Sequence, residues 1–357
     1  MKNFTAVFPD LEYNEYYGNN TEEDQGFYER IDYIANILHV FSMVVYSVAF
    51  LLGTVGNGLV IYFTAFRMKR TVNVVWFLNL AIADFIFTFF LPLSVAYLAL
   101  NFHWPFGTFM CKLNSTIAFI NLYASIFLLT VISMDRCISV LFPVWCQNHR
   151  TPKLASFVAL GVWIIAFVFS LPYFIFRDTE AYNGTISCFN NFEDDITVEE
   201  PTDLAISRHS GTVVTRFIVG FAIPFILIIS CYSIILLRIQ RNHMTTSSKP
   251  FKVVIAVIIS FFVCWFPYHV FSFVELSITY GPDRHFSYAV FIGIPLSSSL
   301  AFINSCVNPV LYVFMGRDFK EKFRTSFQAI FEKAFTEDSG QLDSKSKTKS
   351  TSDSHVL

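Results

Sequence analysis

Charge is what this chain has least of. Asp, Glu, Lys and Arg supply 15% of its 357 residues and hydrophobic residues 54%, whereas a soluble domain carries about 25% charge. That balance excludes an ordinary water-soluble domain. Lysine is absent from 286–314, the last long apolar run, which excludes a retinal-type Schiff base there. No segment repeats and the two halves do not match, which argues against a transporter built from inverted repeats or a channel with a lined pore. No nucleophile, base and orienting group converge on one outward cleft, so an enzyme is not expected. Nucleic acid is not among the expected partners, and no metal is expected beyond one small cation discussed below.

What the chain does have is apolar length. A spanning helix needs about 20 mostly apolar residues, and seven stretches meet that: roughly 36–66, 73–100, 109–141, 153–175, 209–237, 252–278 and 286–314. The fold class this implies is an all-α membrane protein, a seven-transmembrane helix bundle in the lipid bilayer. Pro92, Pro172, Pro224, Pro267 and Pro309 lie inside these runs, which membrane bundles tolerate. Basic residues fall on alternate connections: Arg67, Lys69 and Arg70; His149, Arg150 and Lys153; Arg238, Arg241, Lys249 and Lys252; Arg317, Lys320, Lys322 and Arg324. By the positive-inside rule these face the cytoplasm, which puts the N-terminus outside and the C-terminus inside. The polar, acidic first 33 residues hold no cleavable signal, so span one is expected to act as its own anchor.

Other features agree with that orientation. Glycosylation acceptors stand at Asn3, Asn19 and Asn183, all on the expected outer side. A fourth match, at Asn114, opens span three and is not expected to be used. Of seven cysteines only Cys111 and Cys188 fall outside, natural disulfide partners in an oxidising compartment. Three zones result: an outer tail (1–33), the bundle (34–315) and an inner tail (316–357). Within the last, 317–331 sets Phe319, Phe323, Phe327 and Ile330 on one face among basic residues. That reads as a short amphipathic helix on the inner leaflet, or else a soluble helix packed under the bundle. Beyond it, "SKSKTKSTSDSHVL" cannot build a core and should be disordered. Ser339, Ser344, Ser346, Thr348, Ser350, Thr351 and Ser352 are the expected phosphorylation sites; a plain solubilising tail is the alternative.

Each polar group inside a span is a functional candidate. Asp84 is the deepest, and Asn57, Asn121, Ser125, Asn304 and Asn308 offer it oxygens. Together they suit a hydrated pocket for a small cation; alternatively Asp84 is protonated and simply hydrogen-bonded. Span three ends on Asp135-Arg136 and then resumes with Ile138, Val140 and Leu141. Pro267 and Pro309 each remove a helix bond, beside Trp265 and below the Asn304–Asn308–Tyr312 stripe. At the outer end Arg216 lies about two turns into span five with no acid at similar depth; Glu275 is nearer the surface, and Arg177 closes span four. Two arginines over a cavity suit a bidentate grip on a carboxylate, with Tyr97, Phe119, Tyr123 and Phe273 around aromatic ligand side chains. Backbone or water partners for Arg216, and ordinary packing for the aromatics, are the alternatives. The outer tail "PDLEYNEYYGNNTEEDQ" is acidic, with Tyr13, Tyr16 and Tyr17 open to sulfation, fit to attract a basic partner; a solvated, inert tail is the alternative.

Gly56-Asn57, "LAIAD" with Asp84, Cys111, Asp135-Arg136-Cys137, Trp163, Cys188, "CWFPY" and "NPVLY" run in order through the chain. The set resembles the rhodopsin-like (class A) G-protein-coupled receptors. "HWPFG", "SMDRCISVLFPVWCQNHR", "FRDT", "SCFNNF" and "LYVFMG" are similar to the chemoattractant branch that includes the chemerin and formyl-peptide receptors. The resemblance implies a receptor for a peptide or protein chemoattractant, chemerin first. It also implies an inhibitory-type heterotrimeric G protein, receptor kinases, arrestin and a chemotactic or inflammatory response. Two other readings are a scavenger that binds without signalling and a receptor for formyl peptides or lipid mediators. The intact Asp135-Arg136 pair argues against the scavenger. By the same resemblance Asp135 holds Arg136 at rest, and Arg136, once freed, meets Tyr232, Tyr312 and the G protein. Pro224, Ile126 and Phe261 relay ligand binding to the kink at Trp265 and Pro267, and the cation is an allosteric sodium ion. Ser247 stands where many members carry an acid that clasps the Arg, which implies raised basal activity with Asp135 as the main brake. No cysteine follows Cys306, so the usual palmitoyl anchor is missing.

Overall fold

The computed structural model describes residues 22–193, 201–241, 248–280 and 287–315, without side chains at 22–29, 31–32, 248–253, 287–289, 291 and 312–315. Asn3, Asn19, Ser247, the 317–331 segment and the expected phosphorylation sites lie outside the described residues. Helix α1 (Glu22–Tyr62) is followed by α2 (Val72–Ala99), α3 (Gly107–Leu141), the short α4 (Pro143–His149) and α5 (Pro152–Ile175). A hairpin, β1 (Arg177–Tyr182) and β2 (Thr185–Asn190), leads to α6 (Asp203–Phe217) and α7 (Ile223–Arg241), which form one span. Helices α8 (Ser248–Tyr280) and α9 (Ser287–Met315) complete the chain's order. Among the described residues, seven helical spans are long and apolar enough to cross a membrane. Each overlaps one of the seven runs read from the sequence.

Local chemistry sets the helix starts. Thr71, Thr151 and Thr202 each accept a hydrogen bond from the backbone N–H three residues on, the usual N-cap contact. Pro143 and Pro152 occupy first-turn positions, where the missing N–H costs nothing. Between α6 and α7 one turn widens to π geometry over Ile218–Ala222. Pro224, four residues beyond Gly220, has no N–H to give that residue's carbonyl, and π turns commonly absorb such an interruption. The hairpin turns on Asn183 and Gly184 with φ of 47° and 82°, a two-residue turn with both φ positive that matches strand twist. Asn183 is exposed there, as an acceptor for glycan must be.

The bundle packs around α3. Ile126, Leu128, Leu122 and Tyr123 are almost wholly buried and share one core with Phe261, Trp265 and Ile228. Apolar side chains of α5 and α7 such as Phe157, Ile226 and Leu237 point outward, as lipid-facing residues should. Gly220 lets α3 approach the fifth span closely: a Cβ there would lie 3.2 Å from the Tyr123 ring.

Candidate functional site

Three polar assemblies interrupt the apolar bundle. The outermost begins at the hairpin, tied to α3 by a Cys111–Cys188 disulfide, in keeping with the placement of those two cysteines outside the spans. Trp104 donates from its backbone N–H to the Ile186 carbonyl, and Ile186 N–H donates to His103 Nδ1, so the sheet is fixed over the bundle. Arg177 belongs to this scaffold. It stands on β1 rather than at the close of the fourth span, and its guanidinium donates to Asn190 Oδ1, the Cys188 carbonyl and Cys188 Sγ at 3.0, 3.0 and 3.3 Å. Burial pushes its pKa below the ordinary arginine value. The expected pairing of Arg177 with Arg216 on one carboxylate therefore gives way to a structural role. Strand geometry decides this, because the hairpin folds Asn190 directly opposite Arg177. Tyr97 likewise packs with Trp104 and the disulfide rather than beside Arg216.

Arg216, from the last turn of α6, is 6% exposed. Its guanidinium carbon lies 5.5 Å from the Phe119 ring and 4.9 Å from the Tyr268 ring, cation–π distances. Phe119 stacks on Tyr173, and Tyr123 is buried one turn below it on α3. Phe273 packs edge-on to Phe217. Glu275 is within electrostatic reach of Arg216, yet among the described residues no carboxylate forms an ion pair with it. Its Nε has no hydrogen-bond partner. Aromatic faces are a partial substitute for a counter-ion, and the Tyr173 hydroxyl is a hydrogen-bonding neighbour of the guanidinium. Of the sequence candidates, Arg216 and Phe119 meet here, with Tyr123 beneath. Tyr173, Tyr268 and His269 are not among those candidates, since an aromatic in an apolar span carries no signal of the groups it packs against.

Halfway through the bundle, Asp84 is fully buried and accepts from Asn308 Nδ2 at 2.8 Å. Asn121 Nδ2 donates to Ser305 Oγ, Ser125 Oγ donates to Asn121 Oδ1, and Asn57 Nδ2 donates to the carbonyls of Gly53 and Ser305. Ser305 is the hub, a residue that sequence reasoning passes over although it adjoins Asn304. Oxygens of Asp84, Asn57, Asn304 and Asn308 are left buried without partners. A carboxylate with unsatisfied amide oxygens would suit a small hard cation.

Below it, Ile126, Phe261 and Trp265 lie in one core, the last two 6.0 Å apart, with Pro224 buried on α7 and Pro267 inside α8. Tyr232 packs against the same core. Tyr312 lies on α9, its side chain outside the described residues. At the inner end Asp135 attracts Arg136 electrostatically but makes its ion pair elsewhere. Its two oxygens accept from Arg150 Nε and a terminal Arg150 nitrogen at 2.8 and 2.7 Å, and Arg150 donates also to Asn73 Oδ1. The carboxylate raises the Arg150 pKa above its ordinary value. Arg136 Nε is buried without a partner. Neighbours on a helix project about 100° apart, whereas α4 brings Arg150 face-on to Asp135, which explains why the bidentate pair wins.

Residues 56–312 match the family model of the seven-transmembrane receptors of the rhodopsin family. The chain is 47% identical to Chemerin-like receptor 1 of Homo sapiens over 86% of its own length and 83% of that receptor's. Identity to Chemerin-like receptor 1 of Mus musculus is 44%, over 92% of both chains. Chemerin-like receptor 2 of Homo sapiens is 43% identical over 83% of this chain and 81% of its own. The chain belongs to the rhodopsin family of seven-transmembrane receptors: a multi-pass membrane protein and a receptor, not an enzyme.

Proposed function

We propose that this protein is a plasma-membrane receptor for chemerin, with its N-terminus outside, that grips the ligand's C-terminal carboxylate at Arg216. It signals through an inhibitory-type G protein and then, once receptor kinases phosphorylate its tail, through arrestin. The observation that carries this reading is Arg216 itself, a buried guanidinium set against two aromatic rings with no carboxylate of the described chain to pair it. The names of the similar receptors supply the ligand. The acidic outer tail suits a ligand with a basic body.

The rest of the machinery follows the same reading. A ligand in the box presses on Tyr268, which stands edge-on to Trp265 at 5.8 Å, and the Pro267 kink lets α8 pivot. A sodium ion at Asp84 would favour the resting arrangement by holding α2, α3 and α9 together. Arg136, attracted by Asp135 but not ion-paired with it, is available to the G protein without first breaking a hydrogen-bonded pair. The test is inhibition of cyclic AMP formation in cells expressing the chain, with a synthetic C-terminal segment of chemerin as free acid and as amide. Response to the free acid and a much weaker response to the amide is expected. Binding without any signal would point to a scavenger, and equal potency of the two forms would refute the carboxylate grip.

A further inference from the structure

A second polar group at this depth has no partner. His269, on α8, is 2% exposed and its Nε2 meets no hydrogen-bonding atom. Its ring lies 5.9 Å from that of Phe217 and 5.0 Å from that of Phe221, beside Tyr268, whose own ring receives the Arg216 guanidinium. Arg216 is within electrostatic reach of it. Burying an imidazole nitrogen without a partner is costly, and native proteins leave few such groups unexplained. Packing alone would be served better by another phenylalanine, the residue type that surrounds it.

We infer that His269 is a second ligand-recognising residue, its Nε2–H donating to the same carboxylate that pairs with Arg216. The inference rests on the reading of Arg216 given above. A carboxylate offers about four lone-pair directions, so one oxygen can face the guanidinium while the other takes the imidazole. The division of labour is physical: arginine supplies charge, and histidine on a different helix supplies direction. The pair also explains selectivity. A terminal amide would turn an N–H toward one of two donors and leave it unpaired, a stronger discrimination than apolar contact can achieve.

Competition binding with the free-acid and amidated chemerin segment, on intact receptor and on His269→Leu, tests this. The leucine variant should bind the free acid about tenfold more weakly and the amide within about twofold. His269→Gln, which keeps a donor, should recover most of the loss. Equal weakening of both forms, no weakening of either, or failure of glutamine to recover binding would overturn the inference. Arg216→Ala in the same assay separates the two ideas. If that substitution weakens the free acid and the amide equally, the carboxylate reading itself fails; if it weakens the free acid alone while His269→Leu does not, only the role of His269 falls.

Discussion

The two ends of the bundle treat arginine in opposite ways. At the outer end Arg216 has aromatic rings for company and, among the described residues, no ion pair; at the inner end Arg150 has a bidentate carboxylate and an amide besides. The difference teaches what each arginine is for. A buried cation with its counter-ion supplied in the chain is a fastener, since breaking it strands a charge. One without an ion pair among the described residues is the better place for an incoming anion to bind. Arg177 sharpens the contrast: it sits at the ligand end but is a fastener, with its guanidinium committed to the hairpin.

The largest effect expected is at Arg216. Arg216→Ala should cost the free-acid ligand on the order of 100-fold in potency, the scale of losing one partner of a desolvated charge pair, and leave the amide nearly unchanged in the cyclic AMP assay. Next comes Asp84→Asn, which should abolish the sodium dependence of agonist affinity, about a tenfold effect at the usual scale of allosteric coupling. Agonist titrations in sodium and in N-methylglucamine buffers read it directly, and a sodium response retained by the variant would place the ion elsewhere.

Arg150→Gln frees Asp135 to turn toward Arg136, so basal signalling should fall roughly threefold, the range of a partly exposed ion pair. A rise would mean that the released carboxylate does not restrain Arg136, and that the clamp itself is the brake. The smallest functional change is expected at Arg177→Gln. Surface expression should drop as the hairpin loosens, while the free-acid to amide potency ratio stays within about twofold of the parent. A collapse of that ratio would return Arg177 to the ligand.

Much of this architecture is legible in the residues alone. The seven spans follow from apolar length, and the Cys111–Cys188 link from where two cysteines fall relative to the spans. The Asp84 group can be gathered from Asn and Ser residues at helical spacing on different spans. Partners joined by rare chemical types reveal themselves in sequence; Tyr173, Tyr268 and His269 do not, because nothing in an apolar run says which rings converge. Ser305 escapes notice for the same reason, one serine among several in its helix.

By itself the sequence determined that the chain spans the membrane seven times, where prolines interrupt helix hydrogen bonding and which residues are too polar to be idle there, since lipid penalises every unpaired charge and broken helix bond alike. Tertiary structure decided who partners whom. Asp135 faces Arg150 because α4 brings that arginine back to the inner end of α3, Arg177 faces Asn190 because the hairpin register sets them opposite, and Arg216 packs against aromatic rings with no ion pair among the described residues. Those outcomes depend on side-chain directions across elements distant in sequence, and helical spacing within one span cannot supply them.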